Sequence, residues 1–146
     1  MKKHGILHAE LMKQLTALGH YDAFMICDMA FPIPRDAERI DLALVEGLPS
    51  FLQVLRAVLQ EVIVEKAFLA SNILEYNRPL DKELHALLTA QDFEYVEFED
   101  LRKMANRAKF FVRSASSEAC SNVLLISAAG FPPMAAERNI DVKNVF

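Results

Sequence analysis

The sequence predicts an α/β fold: a single domain with three layers, α/β/α, around a mostly parallel mixed sheet. Three observations predict it. Short apolar runs of strand length alternate with longer stretches of helical period, the pattern of helices packed on both faces of a sheet. No repeat or linker divides the 146 residues, a length that suits one domain able to bury its own core. Two of the strand-like runs have no helix before them, which calls for at least one strand that is not part of a parallel crossover.

The elements follow in order. Residues 9 to 18 read as a helix, because Leu11, Leu15 and Leu18 recur on one face and Gly19 is a natural stop. Ala23 to Cys27 is a nearly all-apolar central strand, ended by Asp28. Phe31-Pro32-Ile33-Pro34 cannot continue a sheet interior and reads as a stiff loop. Ile40 to Leu44 alternates weakly as a second strand. Ser50 with Gln53 fits a capping box, and the helix to about Gln60 carries Phe51, Leu52, Leu55, Val58 and Leu59. Val62 to Ala70 is the most β-branched run, interrupted by Glu65 and Lys66. Ser71 to Arg78 reads as a loop, marked by Asn72, Asn77 and the following Pro79. Asp81 to Thr89 is a helix with Leu84, Leu87 and Leu88 inward and His85 on its surface. Phe93 to Phe98 is a strand of poor contrast, and Glu99 to Asn106 a short helix pairing Leu101 with Met104. Phe110-Phe111-Val112 is a strand, residues 113 to 121 a small polar surface loop, and Val123 to Ile126 the last strand. The domain therefore spans residues 1–126, and residues 127–146 form a low-structure C-terminal extension suited to packing on a neighbouring subunit.

Composition narrows the function. A formal net charge of −4, with no block of Lys and Arg, argues against nucleic acid as a partner. No apolar run approaches membrane-span length, and His8, Glu10, Lys13 and Gln14 break the segment after Lys2-Lys3, so neither membrane insertion nor a signal peptide is expected. Two cysteines give no disulfide framework, so the protein is expected to be soluble and cytoplasmic. Hydrophobic residues reach 53%, which leaves apolar surface for a subunit interface. Only four glycines occur, and none forms a phosphate loop. No Cys/His spacing suits zinc, and His4 and His8 lack the glutamate of a metalloprotease motif, so no metal and no cofactor is expected.

One pair of residues stands out. His20 follows the first helix, and Asp28 follows the first strand. An imidazole titrates near neutrality and both gives and takes protons, and the helix end before it favours its charged form. A carboxylate on the other side of the same strand could share its pocket. The alternatives are a solvated turn histidine and a turn-forming aspartate.

Met1-Lys2-Lys3-His4-Gly5-Ile6-Leu7, Leu18-Gly19-His20-x-Asp22, Asp28-x-x-Phe31-Pro32-x-Pro34, Ile40-Asp41-Leu42-x-Leu44, Gly47-Leu48-Pro49 and Val64-Glu65-Lys66 together resemble the D-ribose pyranase / L-fucose mutarotase family, as does the loop from Arg113 to Asn122. The resemblance runs to about residue 126, and the ribose branch is the closer. It implies a cytoplasmic, cofactor-free enzyme that interconverts ring forms or anomers of a monosaccharide and is linked to sugar uptake and use. It also implies a ring-shaped homo-oligomer, a pentamer-based decamer, with sites at subunit interfaces. The family's catalytic histidine matches His20 and its sugar-binding aspartate Asp28. Its Tyr-x-Asn signature falls on Cys120-Ser121-Asn122, all three taken as sugar-binding. The chain departs from the pattern at Cys120, at Phe98, where the ribose branch usually carries a histidine and the fucose branch an arginine, and at Ala115-Ser116, usually Gly-Glu. Losing groups that bond hydroxyls shifts specificity. The alternative to catalysis is a non-catalytic sugar-binding or regulatory relative.

Overall fold

The computed structural model describes residues 2–130. Among them the chain forms five helices and six strands in one α/β domain: α1 (Ala9–Thr16), β1 (Ala23–Cys27), β2 (Arg39–Asp41), α2 (Phe51–Leu59), β3 (Val64–Ala70), α3 (Ile73–Tyr76), α4 (Arg78–Leu87), β4 (Asp92–Val96), α5 (Phe98–Ala105), β5 (Phe111–Arg113) and β6 (Val123–Ser127). The strands make one sheet in the order β2-β5-β1-β6-β3-β4. Every pair is parallel except those of β6, which lies between β1 and β3 and runs antiparallel to both. The expected mixed, mostly parallel sheet is present, and its odd strand is central.

Period-two alternation divides each strand between two cores. Phe24, Ile26, Ala67, Leu69, Val112, Val123 and Leu125 face the larger core, against Leu11 and Leu15 of α1, the apolar stripe of α2 and Leu80 and Leu84 of α4. Met25, Cys27, Ala70, Phe111 and Leu124 face a smaller core, closed by Leu101 and Ala105 of α5 and by Phe31. Among the described residues the three layers are thus unequal, with α5 the one helix on the second face.

Local chemistry explains the element ends. The Ser50 hydroxyl accepts from the Gln53 N–H, and the Gln53 side chain accepts from the Ser50 N–H, so the capping box that starts α2 is formed. His8 caps α1, its Nδ1 accepting from the Leu11 N–H at 3.2 Å. The second strand stops at Asp41 rather than Leu44, because the Asp41 carboxylate accepts from the Ala43 N–H and turns the chain out. The expected loop over residues 71–78 contains the single turn α3. Asn77 then caps α4, accepting from the Leu80 N–H, with Pro79 in the first turn where its missing N–H costs nothing. Ser127, expected to open the extension, is the last residue of β6, and the extension beyond residue 130 lies outside the described residues.

The largest correction concerns residues 113–121. Their polar composition predicts a surface loop, yet Ser114, Ala115 and Ser116 are buried, as is Ser121. The hydroxyls bond to neighbouring protein groups instead of water. Ser114 Oγ donates to the Cys27 carbonyl at 2.9 Å, Ser116 Oγ to Ser121 Oγ at 3.1 Å, and Ser121 Oγ to the Glu118 carbonyl at 2.8 Å. Small hydroxyl residues that satisfy one another can enter a core without the penalty of an unpaired polar group.

Candidate functional site

The carboxyl ends of β1 and β3 and the amino end of β6 lie together, the edge at which open α/β sheets take ligands. A cleft of about 220 Å³ opens there. Asp28, Asn72, Cys120 and Asn122 supply its polar atoms. Phe31, Pro32 and Phe98 form an apolar wall, the two rings meeting edge to face at 6.1 Å.

Asp28 and Asn122 hold one another reciprocally. The Asp28 backbone N–H donates to Asn122 Oδ1 at 3.0 Å, and Asn122 Nδ2 donates to Asp28 Oδ2 at 2.6 Å. The other carboxylate oxygen, Oδ1, accepts from the Ala30 N–H at 2.9 Å. These bonds use two of about four acceptor positions of the carboxylate and one of the two amide hydrogens of Asn122. The pair is rigid and still able to bond a ligand bearing adjacent hydroxyls.

Cys120 reaches the cleft through an uncommon backbone geometry. Its φ is +60°, in the left-handed region that a non-glycine residue enters at a cost of roughly 1–3 kcal/mol, a feature concentrated at functional sites. The Cys120 Sγ–H donates to Asn72 Oδ1 at 3.3 Å. Burial, and secondarily the Asp28 charge, hold this thiol above the ordinary thiol range, so it is a protonated weak donor near neutrality. Ser121 next to it is fully buried with its hydroxyl committed inward, and does not line the cleft. Of the three expected Cys120-Ser121-Asn122 residues, the structure brings Cys120 and Asn122 to the cleft and turns the Ser121 hydroxyl away from it. Asn72, by contrast, lines the cleft and was legible only as a loop marker. Its position two residues past β3 at the ligand edge is the signal that could have found it.

His20 is elsewhere. It precedes β1 and Asp28 follows it, so the strand's five residues, at roughly 3.3 Å each, set about 16 Å between them. Within one chain the two cannot share a pocket, since flanking a strand means standing at opposite ends of a rod. The helix expected to reach residue 18 ends at Thr16, so His20 does not directly follow it. Its ring stacks on Tyr21 at 3.7 Å, and Nε2 lies 3.3 Å from Glu65 Oε2 on β3. The turn that carries it is clamped. Asp22 Oδ2 accepts from the Gly19 N–H, the Tyr21 N–H donates to the Ser127 carbonyl, and the Ser127 hydroxyl donates to the Gly19 and Asp22 carbonyls. Beside it opens a groove of about 530 Å³ floored by Phe68, Met104, Leu124 and Ile126.

Among the described residues no His/Cys/Asp/Glu cluster is arranged to hold a metal ion, and no helix is long and apolar enough to cross a membrane.

Comparison with known proteins places the chain. The model of the RbsD / FucU transport protein family matches residues 1–129. A D-ribose pyranase of Bacillus cytotoxicus is 40% identical over 125 residues, which cover 86% of this chain and 95% of that protein. A D-ribose pyranase of Geobacillus thermodenitrificans is 39% identical over 131 residues, covering 90% and 99%. The structure of Bacillus subtilis RbsD complexed with D-ribose superposes with a TM-score of 0.86 at 35% identity, covering 90% of this chain and all of the other. A Streptococcus pneumoniae fucose mutarotase in complex with L-fucose reaches a TM-score of 0.68 over 87% of this chain and 98% of its own, and at 17% identity that likeness is one of fold.

Proposed function

This chain belongs to the RbsD / FucU transport protein family, and from that premise we propose that it is a sugar isomerase of the pyranase or mutarotase type. It interconverts ring forms or anomers of a monosaccharide without a cofactor. The observation that carries this is the reciprocal Asp28–Asn122 pair at the ligand edge of the sheet, prearranged to hold adjacent hydroxyls. Names of relatives agree with it: D-ribose pyranase at 40% identity, and an RbsD structure complexed with D-ribose.

In this reading Asp28, Asn122 and the Cys120 thiol orient the sugar, and His20 moves the proton. His20 takes the anomeric O–H proton as the bond from C1 to the ring oxygen breaks and C1=O forms. The same proton then goes to the ring oxygen, leaving an open-chain aldehyde and a hydroxyl. Reclosure on the other face, or on another hydroxyl, runs the transfer backwards. Acid–base catalysis of this kind contributes about 10²–10⁴-fold.

Because about 16 Å of β1 separates His20 from Asp28, the histidine that serves one cleft comes from a neighbouring copy of the chain. His20 is exposed beside an apolar-floored groove that offers such a copy a seat. The ring-shaped oligomer implied by the resemblance, a pentamer-based decamer, would supply that arrangement. The enzyme would act in the cytoplasm on sugar that has been taken up.

The test is NMR saturation transfer between ring forms of D-ribose, L-fucose, galactose and glucose. Accelerated exchange for at least one sugar, lost in His20→Ala, is expected. Acceleration of none overturns the enzymatic reading. The apolar Phe98, and a cleft lining with no histidine among the described residues, favour a second reading, sugar binding without catalysis. It predicts sugar-dependent thermal stabilisation with no exchange.

A further inference from the structure

We propose that Glu65 is a positioning residue that fixes the tautomer of His20, making Nδ1 the nitrogen that exchanges protons with the sugar. The inference rests on the reading of His20 as the acid–base group, and deepens it.

Two backbone irregularities from different parts of the chain converge on this ring. The first is at Glu65. Along β3 the partners on β6 are Ser127 for Val64 and Ile126 for Lys66, so Glu65 is the extra residue of a bulge. A bulge bends a strand and re-aims a side chain, and bulges recur beside active sites. Here the re-aimed carboxylate, 15% exposed, lies 3.3 Å from His20 Nε2. The second is at Tyr21, whose φ of +65° lets its ring fold back onto the neighbouring imidazole at 3.7 Å. A bulky residue at positive φ is uncommon and costs free energy. Ser127, the β6 residue paired beside the bulge, is also the residue that clamps the His20 turn. Strand, bulge and turn form one support for one side chain.

The chemistry follows from what each atom can do. A carboxylate only accepts, so Nε2 carries a hydrogen toward Glu65. In neutral His20 the lone pair is then on Nδ1, because the partner of one ring nitrogen decides the state of the other. Nδ1 has no hydrogen-bond partner among the described residues. The anomeric proton therefore goes to Nδ1 and leaves from Nδ1 to the ring oxygen. Nε2–H stays in place throughout, and the Glu65 charge stabilises the imidazolium that forms between the two transfers. The division of labour is that of a base held by a third group.

Two measurements on the full-length protein test this. Long-range ¹H–¹⁵N correlation of neutral His20 should show the Nε2–H tautomer, and an Nδ1–H signature overturns the proposal without any variant. Glu65→Gln keeps the shape and an acceptor oxygen but removes the charge. It should lower kcat about 10- to 100-fold, the range for loss of a histidine's supporting partner, with KM and melting temperature little changed. An unchanged kcat, or a loss confined to KM, overturns the part of the proposal in which the Glu65 charge supports the imidazolium. If His20→Ala leaves exchange intact, the catalytic reading fails and takes this inference with it. If His20→Ala abolishes exchange while Glu65→Gln does not lower it, only the inference fails.

Discussion

Asp28 and His20 terminate the same strand, yet the chain treats the two ends of β1 in opposite ways. At the carboxyl end, Asp28 is nearly buried and tied to Asn122 and Ala30 by three hydrogen bonds in a defined cleft. At the amino end, the His20 ring projects from a clamped turn with its side chain 39% exposed. In the proposed function the first end is the receptor, its groups already held by one another. The second, in the same proposal, is the acid–base group, carried on a hydrogen-bonded turn. If the proposal holds, recognition and proton transfer are separable parts, and substitutions at either end of β1 test that.

The largest effect is expected from His20→Ala. Ring-form exchange should fall by about 10²–10⁴-fold, while the sugar still raises the melting temperature. Loss of binding to the same degree would show that the two ends are not separable. Next comes Asn122→Ala, which strips partners from the Asp28 N–H and one carboxylate oxygen. Urea unfolding should show a loss of about 1–3 kcal/mol, together with loss of sugar-induced stabilisation. His20→Ala should cost less than about 0.5 kcal/mol in the same assay, as exposed substitutions do.

A third effect comes from Cys27, the residue before Asp28. Burial, then the Asp28 charge, push its thiol up from 9.0 to about 12. The folded state therefore holds that proton more tightly than the unfolded chain. Stability from this source is full below pH 9 and declines as pH rises toward 12. The stability difference between wild type and Cys27→Ala should shift against wild type by about 1.4 kcal/mol per pH unit above pH 9. A difference independent of pH would mean that the thiol is not held in its buried state. The smallest effect is expected from Phe98→His, which places a hydrogen-bonding ring in the apolar wall. One new bond of about 1 kcal/mol should raise D-ribose affinity roughly five-fold, read by the concentration dependence of the thermal shift.

How far these features are visible before folding depends on how local their causes are. β1 runs from Ala23 to Cys27 as the apolar run predicts, and α2 starts at its Ser50/Gln53 box, because both are decided by adjacent residues. The helix α3 escapes, since Asn72 and Asn77 carry loop signals and a single turn has no period to read. The 113–121 segment misleads for a deeper reason. Serines look solvent-facing unless one knows that Ser116 and Ser121 meet and that Ser114 finds the Cys27 carbonyl. His20 and Asp28 look like a pair in one dimension and are set apart by the rise of the strand between them. The partners that define them, Glu65 and Asn122, are 45 and 94 positions away. Glu65 and Lys66 read as interruptions of a strand, and the interruption is a bulge with a direction.

The central place of β6 bears on how such a molecule is made. Among the described residues it is the last of the six strands in the sequence and the only one that pairs with both β1 and β3. Without it, β2-β5-β1 and β3-β4 share no strand-to-strand pairing in the sheet. Its insertion zips them together through contacts distant in sequence, which is slow compared with local helix formation. The same event sets Asn122 beside Asp28 and Ser127 beside the His20 turn. Both ends of β1 are thus completed by residues of one strand that comes last in the sheet's sequence order, so neither arrangement exists before that strand is in place.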